Sequence, residues 1–357
     1  MKIMQLIPSF EMGGAETMCE GLCKQLTKMG HQVVAVSLSS QRTAITRRLE
    51  EAGVTVKYLD KSLGMDFGCV RRLKKLIAEV QPQVIHTHLH ALKYAALAAA
   101  QVPIVHTVHN EAEKEAVPLD RKIAKYLFSW GKALPVALSS RIQDSVVQLY
   151  GLTPEQVPVV HNGIDLSRCM EKTEYALHYP MRLIHVGRFY PQKNHEAVLE
   201  ALALLKKRGI RAQVTFLGDG PRMGEIQAKA EEMELGKQVR FEGVCDNVFP
   251  HLSHSDVFIL PSRWEGSPMT VIEAMGTGLP VVAADVGGLG DMITSGQDGL
   301  LIAPTGEALA QAVESLAKNE NIREKMGENA KISARKFRVE QMALDYEALY
   351  QQRRRSL

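Results

Sequence analysis

The chain spells one pattern twice. Short runs rich in Val and Ile recur with room for a helix between them: KIMQLI (2–7), QVVAVSL (32–38), VTVKYL (54–59), QVIHTH (83–88) and IVHTV (104–108) in the first half. RLIHVG (182–187), AQVTFLG (212–218), QVRFEG (238–243), VFILPS (257–262) and PVVAAD (280–285) follow in the second. Strands joined through helices pair in parallel and carry helices on both faces of the sheet. Between the two sets lies HNGIDLSRCMEKTEYALHYP (161–180), weakly periodic and Gly-containing, after which the pattern restarts at Met181. The expected fold is α/β: two Rossmann-like, doubly wound parallel-sheet domains over 1–165 and 166–338, with a helix over 339–357 ending in an Arg run. The amphipathic stretches at 194–208 and 222–235 read as helices that cover a sheet.

At 357 residues there is enough chain for two cores. MKIMQLIPSF reads as a first strand, its apolar run being too short for a signal peptide. The longest apolar stretch, 91–105, is broken by Lys93, Gln101 and Pro103 and falls short of the roughly 18 residues of a membrane span. A cytoplasmic location is expected. Five cysteines without a Cys-x-x-Cys pair suggest neither a disulfide framework nor a zinc knuckle. The net charge of +3 divides into +4 over residues 1–165 and −1 over the rest. Nucleic acid is a poor partner for so small an excess with no aromatic-interleaved basic stripe. Arg71, Arg72, Lys74 and Lys75, and Arg121, Lys122 and Lys125 ahead of Trp130, suit a basic amphipathic helix lying on an anionic membrane; a solvated helix face accounts for them equally.

The most informative segment is 256–299. An apolar strand (257–260) stops at Pro261-Ser262, and Ser267-Pro268 reads as a cap and first-turn proline for the helix that carries Glu273. Glu265 hangs from the loop. Ligands of open parallel sheets sit beyond the carboxyl ends of strands, where helix N-termini offer free amides to phosphate. Carboxylates repel phosphate, so Glu265 and Glu273 are better read as acceptors for sugar hydroxyls of the same ligand, a nucleotide sugar. Solvated acids favoured by the helix dipole are the plain alternative. Arg188 and Lys193, after the strand ending at Gly187, pair a planar fork of donors with a compact charge, as a diphosphate clamp would. Gly13-Gly14 follows the first strand and opens a helix, which lets backbone approach a ligand. His106 and His109 fall on different faces by alternation. His86, His88 and His90 lie two apart, as metal ligands on one strand face could, but no Cys, Asp or Glu joins them.

Glu265-Gly-Ser-Pro-Met-Thr-Val-Ile-Glu273, followed by a small-residue turn and a strand, resembles the Glu-x7-Glu signature of the GT4 family of retaining glycosyltransferases. The resemblance covers nearly the whole chain. It implies a GT-B fold whose two domains face an interdomain cleft, with acceptor binding on the first and nucleotide-sugar binding on the second. It implies catalytic roles for Arg188, Lys193, Glu265 and His109, the last as the family's strand-end histidine that contacts the donor sugar. Donor contacts are implied at Gly13, Gly14, Arg188, Lys193, Gly243, Val244, Glu265, Gly266, Ser267, Met269 and Glu273. Asn162-Gly163-Ile164-Asp165 matches the family's hinge, and a base pocket is implied around 218–221 and 241–247. The family pattern needs no metal or other cofactor. The activity implied is hexosyl transfer from a nucleoside-diphosphate sugar, UDP-linked by preference and GDP-linked otherwise, to a saccharide or lipid-linked acceptor in surface polysaccharide or glycolipid synthesis. A lipid-linked acceptor would suit peripheral contact with the inner face of the plasma membrane. Two other readings compete. A dinucleotide-dependent oxidoreductase wants Gly-x-Gly-x-x-Gly directly after a strand and an acid about 20 residues on, and Gly218-Asp-Gly220-Pro-Arg-Met-Gly224 has the wrong spacing. A binding protein without turnover would have little use for the clamp and the acids together.

Overall fold

The computed structural model describes residues 1–99, 101–115 and 117–355. They form two compact units, one of 1–164 with 338–357 and the other of 165–337.

The first unit holds a six-stranded sheet: β1 (Lys2–Ile7), β2 (Gln32–Ser37), β3 (Thr55–Tyr58), β4 (Val84–His88), β5 (Ile104–Val108) and β6 (Ala133–Ala137). Their spatial order is β3-β2-β1-β4-β5-β6, parallel throughout. The second holds β7 (Met181–Val186), β8 (Ala212–Leu217), β9 (Val239–Gly243), β10 (Val257–Leu260), β11 (Val281–Ala284) and β12 (Leu300–Ile302). Their order is β12-β11-β10-β7-β8-β9, again parallel. Both sheets therefore run 3-2-1-4-5-6 in their own chain order, the doubly wound arrangement. Each reverses direction at one place, between β1 and β4 in the first and between β7 and β10 in the second, and the crevice there is where such sheets take ligands.

Sequence reasoning misses β6 and β12, each for its own reason. Both lie at sheet edges, as β3 and β9 do, and β6 gains on its outer side only the bridge of Ala137 to Val159. β6 accommodates Pro135, which an edge tolerates because one row of amides needs no partner. β12 is three residues long and half-buried, too short to show a period.

Every residue of β10 and β11 is buried, as helices on both sheet faces require. β4 and β5 are equally buried yet carry His86, Thr87, His88, His106 and Thr107. Those polar groups are admissible only if hydrogen-bonded. Their partners come in part from the helix Val339–Arg355, which enters this unit where Val339 N–H donates to Ile164 O at 2.9 Å. Tyr346 and Tyr350 on that helix are fully buried. No helix among the described residues is long and apolar enough to cross a membrane.

Candidate active site

The loop leaving β7 is held from three directions before it reaches Lys193. Gly187 N–H donates to Leu217 O at 2.9 Å, Phe189 N–H donates to Asp219 O at 2.9 Å, and the Phe189 ring is wholly buried. Gly218, at φ +133°, lies so close that a Cβ there would stand 2.2 Å from Gly187 O. Gly218 N–H in turn donates to Gly243 O at 2.7 Å, so the ends of β7, β8 and β9 are laced together. Asn194, in the left-handed region at φ 53°, donates from Nδ2 to Pro261 O (2.9 Å) and Pro304 O (3.0 Å). It therefore ties the loop to the end of β10 and does not cap the helix His195–Lys207 behind it.

That bracing delivers Lys193 to Glu265: Nζ stands 2.6 Å from Oε1, and the Glu265 residue is 4 % exposed. Gln192 Nε2 donates to Trp264 O at 2.9 Å and stands 3.4 Å from Glu265 Oε2, while Arg263 N–H donates to Gln192 O at 2.8 Å. The two loops at the β7/β10 reversal are thus one hydrogen-bonded unit. Behind Glu265 lies Gly287, at φ +54°, whose Cβ would fall 1.7 Å from Glu265 O; Gly288 N–H donates to Gly266 O at 2.8 Å.

The helix Met269–Thr277 begins one residue later than the sequence suggests. Pro268 occupies the cap position with no side-chain cap bond, whereas Ser267, expected as the cap, turns its Oγ toward Met292 Sδ at 3.8 Å. The first-turn amides are consequently not taken up by a capping side chain. Ser262 Oγ and Thr270 Oγ1, on either side of the loop, are buried without a hydrogen-bond partner. Glu273 is half-buried on this helix, and burial of its carboxyl pushes its pKa up to about 7 against the opposing charge of Arg168. Burial and the Glu273 charge together raise the neighbouring Cys169 thiol to about 12.

Not every expected member from the second unit joins this cluster. Arg188 is exposed, with its guanidinium 5.3 Å from the Tyr190 ring centroid. Val244 is exposed beyond β9, next to the Gly243 that receives the Gly218 bond. In the first unit Gly13 precedes the helix Gly14–Lys28 in extended backbone that any residue adopts, and within that unit nothing lies within 4 Å of a Cβ placed on Gly14. His109 follows β5, 8 % exposed, with Nε2 3.1 Å from His88 Nδ1; burial lowers its pKa to about 3. His106, on the other face, bonds Thr87 Oγ1 at 2.9 Å and stacks on Phe128. Among the described residues no three His, Cys, Asp or Glu side chains gather as a metal-ligand set, so His86, His88 and His90 are not one. Gln192, Arg168 and Gly287 are participants that sequence reasoning overlooks. Only the Gly287-Gly288 pair, following a strand, signals itself.

Comparison with known proteins fits this geometry. Residues 177–333 match the family described as Glycosyl transferases group 1, and residues 12–168 match Glycosyltransferase Family 4. EpsF, a protein of Bacillus subtilis (strain 168) that bears the name glycosyltransferase, is 30% identical over 304 residues, covering 80% of this chain and 79% of its own. The Escherichia coli UDP-Gal:alpha-D-GlcNAc-diphosphoundecaprenol alpha-1,3-galactosyltransferase is 27% identical over 303 residues, 74% of this chain and 77% of its own. Among solved structures, Anabaena HepE in complex with UDP and glucose superposes with a TM-score of 0.87 at 21% identity, covering 99% of this chain and 100% of that one; the shared fold is GT-B. Two braced sheets of identical order, a carboxylate pair at the second reversal and these matches lead to one assignment: the chain belongs to the GT4-type glycosyltransferases.

Proposed function

We propose that this glycosyltransferase moves a hexosyl group from a UDP-sugar, with a GDP-sugar as the alternative, to a saccharide or lipid-linked acceptor in surface polysaccharide or glycolipid synthesis, retaining the anomeric configuration. The observation that carries the proposal is the 2.6 Å Lys193–Glu265 contact at the β7/β10 reversal. An ammonium has three donors, so Lys193 can hold Glu265 and still offer N–H to a diphosphate oxygen. Glu265 is in turn set as an acceptor for sugar hydroxyls. Ser262 Oγ and Thr270 Oγ1 supply hydroxyls in need of partners. The uridine preference draws support from the E. coli relative, whose name specifies UDP-Gal, and from HepE, which holds UDP and glucose.

With Glu265 engaged by Lys193, the carboxylate is a poor candidate for a double-displacement nucleophile. Front-face substitution fits better. The bond from the anomeric carbon to the diphosphate oxygen breaks, the acceptor oxygen bonds to the same face, and the departing phosphate takes the hydroxyl proton. Charge accumulating on the leaving group is met by Lys193, Arg188 and the first amides of the helix Met269–Thr277. Product assays with UDP- and GDP-sugars, joined to thermal shifts with UDP and GDP, test the reading. UDP should raise the melting temperature more than GDP, and Arg188→Ala or Lys193→Ala should lower turnover by at least about a hundredfold. Wild-type rates in both variants, or no nucleotide-dependent shift, would refute it.

The membrane part of the reading rests on the first unit. Leu63 and Phe67 are exposed beside Arg71, Lys74 and Lys75; Leu119, Tyr126 and Trp130 are exposed beside Lys122 and Lys125. Apolar and aromatic side chains among cations are the makings of an interfacial anchor. Cosedimentation should be strong with anionic vesicles, weak with neutral ones, and reduced in a Phe67→Ala, Trp130→Ala double variant. Equal binding to both lipids would end this part.

A further inference from the structure

Around His109 the first unit contains a continuous chain of buried hydrogen bonds with a single sense of direction. His109 Nε2 stands 3.1 Å from His88 Nδ1, and His88 Nε2 stands 3.0 Å from Gln5 Oε1. Gln5 Nε2 donates to Tyr350 Oη at 3.2 Å, and Tyr350 Oη lies 2.7 Å from His86 Nδ1. His86 Nε2 continues to Thr107 Oγ1 at 2.7 Å, and Thr107 Oγ1 to Tyr346 Oη at 2.7 Å. Gln5, His86, His88, Thr107, Tyr346 and Tyr350 are all fully buried. Burial holds the three histidines well below their ordinary pKa, so each ring carries one proton, with one nitrogen donating and the other accepting.

Hydroxyls and neutral imidazoles can point either way, but a carboxamide has one donor end and one acceptor end. With Gln5 Nε2 committed to Tyr350, Gln5 Oε1 must accept, so His88 is protonated on Nε2. His88 Nδ1 must then accept, so His109 is protonated on Nε2 and its Nδ1 carries the lone pair. On the other side Tyr350 donates to His86 Nδ1, His86 Nε2–H to Thr107, and Thr107 to Tyr346. Every contact in the chain then has one donor and one acceptor.

We propose that Gln5, His88 and Tyr350 are positioning residues that fix His109 as its Nε2–H tautomer, so that it meets the donor sugar as a hydrogen-bond acceptor for a hydroxyl and not as a proton donor. The functional half rests on the reading that His109 contacts the sugar; the tautomer half does not. Reversing the chain would require the Gln5 amide to turn over together with every proton from Tyr346 to His109. That cooperativity is what makes a relay of this kind a setting and not an average.

The test is long-range nitrogen–proton NMR on full-length protein labelled at histidine, with the His109 signals assigned through His109→Gln. Wild type should show an unprotonated, pyridine-like Nδ1 and a protonated Nε2. The opposite pattern, or a mixture, overturns the proposal and needs no variant to fold. Gln5→Glu keeps an acceptor facing His88 and should preserve the tautomer, whereas Gln5→Leu and Tyr350→Phe should give mixed tautomers. In Gln5→Leu, kcat should fall about tenfold, the scale of one hydrogen bond, with KM little changed. A correct tautomer in wild type with unchanged kcat in Gln5→Leu overturns the catalytic role of the relay. Wild-type turnover in His109→Ala overturns the sugar contact itself, separately from the tautomer result.

Discussion

Glu265 and Glu273 are chemically the same group in two environments, and the difference follows from their neighbours. Glu265 accepts from a lysine at hydrogen-bond distance; Glu273 has burial against it and only the more distant Arg168 in its favour. The consequence for Glu273 is a pH dependence of known sign. Its carboxyl titrates near the ordinary 4.5 in the unfolded chain and at about 7 in the fold. Between those values the folded state holds a proton that the unfolded state has released, so stability falls as pH rises from about 4.5 to 7 and stays lower above. Glu273→Gln, which is neutral throughout, should match wild type near pH 4. It should melt about 2–4 °C higher at pH 8, the shift that roughly 1 kcal/mol produces in a unit of this size once water access to a half-buried group is allowed for. Thermal scans at the two pH values check this, and equal melting temperatures at pH 8 would remove the assignment. His109 belongs to the opposite case: neutral throughout the usual assay range, it contributes no titration near 6.5.

At the scale of elements, central strands such as β10 and β11 show in the sequence because burial on both faces leaves an unbroken apolar run, and the edge strands β3 and β9 show because covered and exposed residues alternate along them. Of the other two edge strands, β6 escapes notice because Pro135 interrupts it, and β12 because three residues show no period. The Glu265–Glu273 spacing is legible because both lie on one loop and helix. The Lys193–Glu265 contact joins residues 72 apart in the chain and becomes visible only when β7 and β10 are neighbours. Alternation along QVIHTH places His86 and His88 on one face, but their partners Gln5 and Tyr350 lie on other elements, which is why the histidines read as metal ligands in isolation. Gly287 is the clearest tertiary requirement. Its left-handed backbone and the 1.7 Å approach to Glu265 O leave no room for a methyl group. Gly287→Ala should destabilise the protein by about 1 kcal/mol or more and displace Glu265, lowering kcat at least about tenfold. Gly290→Ala, whose Cβ would meet nothing closer than Asp285 Oδ1 at 3.7 Å, serves as the control and should behave as wild type. Steady-state kinetics with chemical denaturation on both variants decides the matter.

At the scale of the whole molecule, the same strand order is built twice, yet the two units differ in how the chain supplies them. The second is continuous from 165 to 337; the first is completed by 338–357. Tyr346 and Tyr350 lie fully buried in the first unit, and their phenols close the hydrogen bonds of His86, Thr107 and Gln5. Loss of a buried aromatic costs about 3–5 kcal/mol, and a typical domain has only about 5–15 kcal/mol to lose. A protein ending at residue 337 should therefore lose the cooperative unfolding of its first unit while keeping that of the second. Calorimetry would show one transition in place of two, or a single transition of roughly half the enthalpy; full retention would contradict this account of the helix.

The order of synthesis gives this discontinuity a further meaning. A ribosome finishes residues 165–337 before it makes 338–355, so the second unit can fold while the first, begun earlier, still waits for its final helix with its histidines and Gln5 lacking their tyrosines. The half of the protein translated first is the half that matures last.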